Sequence, residues 1–193
     1  MILRSQKAQT SVLQVAAAGV VLLFMVVLLR TQGRLFLCAC GYFDIWTIET
    51  CSANNSQQLF DPYSLTHVLH GFLFFYLMML VCRRLKRSWQ LLLAIALEAA
   101  WEVFENSSFV IDRYRTATAA LGYQGDTVIN SIGDLFCAVV GFWIARQVGL
   151  RNSLILFALI ELILILWIHD NLLLQILMLI RPVEAIKAWQ MCA

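Results

Sequence analysis

The chain has 193 residues, 61% of them hydrophobic, with a mean hydropathy of +0.78. Only 13% are charged, against roughly a quarter in a water-soluble domain, so a soluble globular class is excluded. The net charge of +2 leaves no footprint for nucleic acid, and the composition predicts an all-α polytopic membrane helix bundle in one integral-membrane domain, 1–193.

An apolar run over about 11–29 follows Arg4 and Lys7 and is long enough to cross a bilayer. No A-x-A-like cleavage site follows, and the bulky Leu37 before Cys38 argues against a lipoprotein signal, so the run reads as an uncleaved anchor. An outer loop is expected over 31–65. It holds Cys38, Cys40 and Cys51, and either of the first two can pair with Cys51 in an oxidising compartment. Cysteines separated by one residue rarely pair with each other, because the geometry is strained. Cys82, Cys137 and Cys192 lie in or near helices, and none of the six shows zinc-ribbon spacing.

Further spans are expected at about 66–82, 89–104, 127–145 and 152–168, which makes about five. The stretch 171–180 is too short to cross and reads as interfacial or re-entrant, and the amphipathic end 183–190 suits an interfacial helix. Arg83, Arg84, Lys86 and Arg87 between spans two and three mark the cytoplasmic side, with Arg146, Arg151, Arg4 and Lys7 in agreement. Arg30, Arg34, Arg113 and Arg115 oppose this assignment and are outweighed. The expectation is a bacterial inner-membrane protein with a cytoplasmic N-terminus. Loops 31–65 and 105–125 and the tail 171–193 then face the periplasm.

That topology gathers ionisable residues at one membrane edge. A charge at mid-bilayer costs at least ~2.5–3.5 kcal/mol, so such residues are usually functional or paired. His67 and His70 share one helix face, with Asp61-Pro62 starting a turn before them and Ser64 placed to cap the helix. They suit metal ligation or acid–base work, or a pair of hydrogen-bonded interfacial histidines. Glu98, Glu102 and Glu105 with Asn106 line one face of span three, where Glu98 is also a candidate interhelical tie. Asp126, Asn130 and Asp134 recur every four residues at the start of span four, and Asp126 is placed to serve the helix N-terminus. Gly133 and Gly141 permit close helix approach. Asp112-Arg113-Tyr114-Arg115 reads either as a holder for an anionic headgroup or as an interfacial anchor. Glu161 reads as paired within the bundle. His169 and Asp170 can join the cluster from span five. Ser56-Gln57-Gln58 carries no independent chemistry.

These strings form a longer pattern: C-x-C-G-Y from Cys38, S-Q at Ser56, D-x-Y-x-x-x-H-x-x-H-G from Asp61 and W-E-x-x-E-N-S-x-F-V-I-D-R-Y-R from Trp101. G-D-x-x-x-N-S follows from Gly125, H-D-N-L from His169 and E-A-I-K-A-W-Q from Glu184. From Cys38 to Gln190 the chain resembles an uncharacterised family of small bacterial inner-membrane proteins. The resemblance implies membrane location and no particular activity. Spans two to four also resemble VanZ-like membrane proteins through Glu102, Arg113 and Asp126-x-x-x-Asn130-x-x-Gly133. VanZ-like chains carry D-K-x-x-H at the entry, whereas here Asp61 precedes His67 by six residues without a lysine. That likeness implies a link to glycopeptide resistance and envelope biology.

The reading favoured by residue type and depth is hydrolysis or group transfer on a lipid or lipid-linked envelope substrate. His67, His70, Glu102, Asp126 and Asn130 are the catalytic candidates. Arg113, Arg115, Tyr114 and Asn106 are the substrate-binding candidates, and Glu98, Glu105, Asp134, His169 and Asp170 support them. No cofactor motif is evident, which disfavours redox chemistry. A divalent metal on His67, His70 and Glu102 fits imidazole and oxygen ligands. The alternatives are a non-catalytic envelope assembly or partner-binding protein, and a proton-coupled carrier relaying through Glu98, Glu102, Asp134 and Glu161. The absence of an inverted repeat disfavours the carrier.

Overall fold

The structure is a computed structural model that describes residues 2–48, 50, 54–118 and 122–191; Cys51 and Cys192 lie outside them. Among the described residues seven helices follow in order: α1 Ile2–Thr31, α2 Ser64–Val81, α3 Arg87–Glu105, α4 Ser108–Ala117, α5 Val128–Ile168, α6 Leu172–Ile180 and α7 Glu184–Gln190. Among the described residues the extended contacts amount to one isolated bridge, Trp46 to Phe60. The all-α class is therefore as the sequence predicts.

Among the described residues, three helical runs are long and apolar enough to cross a membrane: Val12–Thr31, Ser64–Val81 and Val128–Ile168. The expected count of five is not reproduced by length and composition. α3 carries Arg87, Glu98, Glu102 and Glu105, too many charges for that test, and spans four and five form one run, α5. This run breaks at Gly149, whose φ of 75° and ψ of 170° are not helical. Asp134 near its start and Ile168 at its end line the same chamber, so the run doubles back at Gly149. Hydrocarbon-facing positions match these helices: Leu23, Phe24, Leu159, Leu162 and Leu166 are exposed, a surface that lipid accepts and water does not.

α2 packs most extensively against α5 because both present glycine at the crossing. A Cβ on Gly71 would overlap the Ala138 carbonyl, and one on Gly141 would overlap the Val68 carbonyl. Gly133 in turn lies against the Leu59 backbone of the long loop. The expectation of close helix approach holds at Gly141, with Gly71 as its counterpart on α2, whereas Gly133 meets the loop and not a helix. Beyond the crossing, Phe72, Phe75 and Met78 of α2 meet Ala94 of α3 and Phe142 and Ala145 of α5 in a dry core. Tyr76 donates to Ser153 Oγ at 3.0 Å, tying α2 to the returning arm of α5. α1 is attached more lightly, through Met25 and Leu29 against Ala99 and Val128.

Four local expectations are corrected. Ser64 is not a helix cap: it sits inside α2 and donates to Asp134 Oδ1 at 2.6 Å, while Asp61 Oδ1 accepts from the Tyr63 and Ser64 amides. Asp126 does not cap α5, because Thr127 does so by accepting from the Asn130 amide. The loop 105–125 contains α4, started by Ser107, whose side chain accepts from the Val110 amide. Cys38 and Cys40 are joined as a disulfide, and their Cα separation of 5.1 Å lies within the ordinary range for such bonds.

The long loop 31–65 clothes the start of α5. Val128 and Ile129 donate to the Leu35 and Phe36 carbonyls, and Thr127 donates to the Ser56 carbonyl. Asn130 Nδ2 donates to the Gln58 carbonyl at 2.9 Å. The first N–H groups of a helix have no intrahelical partner, so this loop solvates a helix end that hydrocarbon would leave bare.

Candidate functional site

The site is built where α2, α3 and the start of α5 diverge above the dry core. His67 and His70, one turn apart on α2, face Glu98 on α3. His67 Nδ1 lies 2.5 Å from Glu98 Oε1, and His70 Nδ1 lies 3.1 Å from Glu98 Oε2. Both rings are thus held by one carboxylate whose own exposure is 0%. His70 is also boxed by Trp101, with ring centroids 5.7 Å apart. The interhelical tie expected of Glu98 is present, and its partners are the two histidines.

Glu102 stands one turn above Glu98. Its Oε1 is 3.3 Å from His67 Nδ1, the nitrogen already engaged by Glu98. Neither Glu102 oxygen has a hydrogen-bond partner, although the residue is fully buried. Buried polar groups are nearly always partnered, and a bare buried carboxylate is costly unless something answers it. On the far side of the ring, His67 Nε2 lies 3.9 Å from Asp134 Oδ2. His67 is therefore surrounded by carboxyl groups from two helices.

A chamber enclosing about 750 Å³, counted with its open mouth, extends from His67 to the C-terminal helices. Its acidic side chains are Glu105, Asp126, Asp134 and Asp170, and its described lining contains no lysine or arginine. Asp126 is fixed by Asn106: the amide side chain donates to Asp126 Oδ2 at 2.7 Å, and the Asp126 backbone N–H donates back to Asn106 Oδ1 at 2.7 Å. Tyr123 donates to Asp126 Oδ1 at 2.8 Å, and Tyr114 donates to Glu105 Oε1 at 3.0 Å. Burial pushes the Asp126 carboxyl above its ordinary range, against the pull of these donors. Burial pushes Asp61 up as well, with Asp126 nearby adding to the effect. The phenols of Tyr63, Tyr114 and Tyr123 are likewise raised by burial, so they act as donors.

Asp170 closes the chamber from the α5–α6 junction. It accepts from the Asn171 amide at 2.9 Å and from Gln190 Nε2 at 2.9 Å, which seats α7. Its carboxyl is pushed up to about 7 by burial, against those hydrogen bonds. His169 does not join the cluster: it ends α5 in the left-handed conformation, and its ring stacks on Trp189 at 4.7 Å.

The arginines are engaged elsewhere. Arg113 Nε donates to the Leu179 carbonyl at 2.9 Å, tying α4 to α6, and Arg115 Nε donates to the Tyr123 carbonyl at 2.5 Å. Neither lines the chamber, whereas Tyr114 between them does. The VanZ-like order of residues is thus only partly drawn together, since Glu102 and Asp126 reach the site and Arg113 does not. Asn130 holds the long loop instead of lining the chamber, although its Oδ1 is buried and unpartnered.

Sequence reasoning missed several chamber residues. Ser56, dismissed as plain loop, lines the chamber and donates its amide to Asp61 Oδ2 at 3.1 Å. Tyr63, Thr66, Tyr123, Gln175 and Gln190 also line it. The signal for Tyr63 and Thr66 was their place in the Asp61–His67 string; for Gln175 and Gln190, it was a polar amide in otherwise apolar helices.

Chemically, the arrangement can position an imidazole through Glu98, accept a proton on Glu102 or the imidazole, and hold a polar group among carboxyl, amide and phenol side chains. It also contains two groups of donors close enough to share a cation: His67, His70 and Glu98, and His67, Glu102 and Glu105.

Comparison with known proteins gives one family model, described as "Protein of unknown function (DUF2585)", which matches residues 29–192. Among similar curated proteins, a UPF0314 protein of Rhizobium johnstonii is 43% identical over 90% of this chain and 89% of its own. One from Rhizobium meliloti is 41% identical over 97% of this chain and 95% of its own. One from Novosphingobium aromaticivorans is 43% identical over 91% and 90%. No solved structure matches.

Proposed function

We propose that this chain, which belongs to the DUF2585 family, carries out hydrolysis or group transfer on a lipid or lipid-linked envelope substrate. The observation that carries this reading is Glu102, fully buried, without a hydrogen-bond partner on either oxygen, and beside His67. A carboxylate in that state serves stability poorly and proton transfer well. In this reading Glu102 or His67 takes the proton from the attacking water or hydroxyl. Glu98 positions His67 and His70. Asn106 and Tyr123 fix Asp126 toward the substrate.

The protein sits in the bacterial inner membrane with about five crossings and a cytoplasmic N-terminus, as the basic loop at Arg83–Arg87 supports. The chamber then opens at the periplasmic edge, within reach of the outer leaflet. Its lining favours a neutral, hydroxyl-rich headgroup, because Arg113 and Arg115 are occupied by backbone carbonyls. Imidazole and carboxylate donors from His67 and its neighbouring glutamates would suit a divalent metal, which would supply Lewis-acid polarisation of the bond to be cleaved.

The test is envelope lipid mass spectrometry on a deletion strain complemented by wild type or by Glu102→Gln. A lipid species that shifts on deletion and returns only with wild type supports the enzyme. Restoration by both proteins, or no shift, defeats it.

A second reading, a non-catalytic partner-binding protein of the envelope, is favoured by the exposed Phe43, Ile45 and Ile48 of the long loop. Replacing all three by serine is expected to abolish cellular function on this reading and to spare lipid turnover on the first.

A further inference from the structure

We infer that the chamber floor is a divalent-cation site made by His67, Glu102 and Glu105, and not by His67, His70 and Glu98. This deepens the proposed chemistry and rests on it only for the ion's role, since binding is measured independently of any reaction.

Both donor groups are compact enough, with ligand atoms within 4.8 Å of one another. They differ in what their donors already do. Glu98 accepts from both histidines, so its oxygens are satisfied without an ion. Glu102 has two buried oxygens that accept no hydrogen bond, with His67 Nδ1 3.3 Å from Oε1, and Glu105 Oε2 likewise accepts none while Oε1 takes the Tyr114 hydroxyl. Glu102 and Glu105 are three residues apart on α3 and so project from one face, toward the ring that α2 supplies.

The charge accounting points the same way. Two carboxylates on one helix face repel each other in a medium that screens poorly. Among the described residues, no lysine or arginine lines the adjoining chamber to compensate them. A divalent ion neutralises the pair. A ring nitrogen of His67 adds a donor softer than oxygen, which favours Zn²⁺, Mn²⁺ or Fe²⁺ over Ca²⁺. Glu102 Oε1 approaches the ring at Nδ1, 3.3 Å away, and Asp134 Oδ2 at 3.9 Å from Nε2 is a candidate further donor. Glu98 holds the ring in place, as outer carboxylates do for metal-binding histidines. Three protein ligands beside an open chamber leave positions for water, as catalytic sites do.

The experiment uses the full chain in detergent, purified without a histidine tag, stripped with chelator and dialysed against Zn²⁺ or Mn²⁺ alone. Elemental analysis then gives metal per chain. About one ion is expected on wild type. Glu102→Gln and Glu105→Gln are expected to lose stoichiometric binding, Glu98→Gln to weaken it about 10–100-fold, and His70→Ala to keep it. Size-exclusion profiles identify any variant that fails to fold, and the wild-type stoichiometry stands apart from the variants. Wild type without tight metal overturns the proposal. So does loss in His70→Ala with retention in Glu102→Gln, which moves the ion to the other group. Metal bound with no lipid shift in the deletion strain leaves this site standing and defeats the enzyme; a lipid shift without metal does the reverse.

Discussion

The same three helices, α2, α3 and α5, build two unlike halves. In one, Phe72, Phe75, Met78, Ala94, Phe142 and Ala145 fill the space between them with apolar side chains. In the other, one to three turns along, the helices carry His67, Glu98, Glu102 and Asp134, and part to leave a chamber. The difference shows where the fold is secured. Close packing at the glycine crossing fixes the helices so firmly that the other half can keep carboxylates without partners, an arrangement a marginal bundle could not hold.

The largest expected effect lies at the crossing itself. Gly141→Leu drives a side chain into the Val68 carbonyl, where backbone cannot yield, and the variant is expected to give no monodisperse folded protein on size exclusion. Phe142→Ala, in the dry half, is expected to cost about 3–5 kcal/mol of stability in a denaturant titration in detergent micelles. Asn106→Ala strips Asp126 of one of its two side-chain donors and of its amide acceptor, and should cost about 1–3 kcal/mol in the same assay. Glu102→Gln is the variant that can break the comparison. It replaces a carboxylate that accepts no hydrogen bond by a neutral amide and should leave stability unchanged or raised. A loss as large as that of Phe142→Ala would make the polar half a structural element like the dry one.

The smallest effect is a pH slope. Asp170 has a folded value of about 7, above the ordinary carboxyl value near 4 of an unfolded chain, so the fold prefers its protonated form. Between about pH 4 and 7 the folded state holds the extra proton, and stability from this group is full below that window and falls as pH rises through it. The slope of unfolding free energy against pH should be shallower in Asp170→Asn than in wild type across that window.

How much of this was legible follows from the physics of each signal. Hydropathy located α1, α2 and α3 to within a few residues at their apolar ends, because a bilayer demands a minimum run. It missed α4, whose ten residues include Asp112, Arg113 and Arg115, and whose start depends on one serine side chain. Intramembrane ionisable residues pointed to His67, Glu98, Glu102 and Asp134, since their burial is expensive wherever they occur. The arginines misled because their partners are carbonyl groups of Leu179, Ile180 and Tyr123, and any residue type offers a carbonyl. Ser56 stayed hidden for the same reason: its amide donates to Asp61 and its carbonyl accepts from Thr127.

Glu161 has a consequence for how the chain ends. About two turns before α5 finishes, its carboxylate receives the backbone amides of Leu172 and Leu173 at 3.0 and 3.2 Å, and Asn171 Oδ1 receives that of Leu174 at 2.9 Å. The opening amides of α6 are thereby satisfied by protein instead of water. A hairpin at the rim of a bilayer ordinarily has to surface to hydrate its amides, and this one carries its acceptors with it. The C-terminal segment can therefore lie lower than its length suggests, as a rim of the chamber.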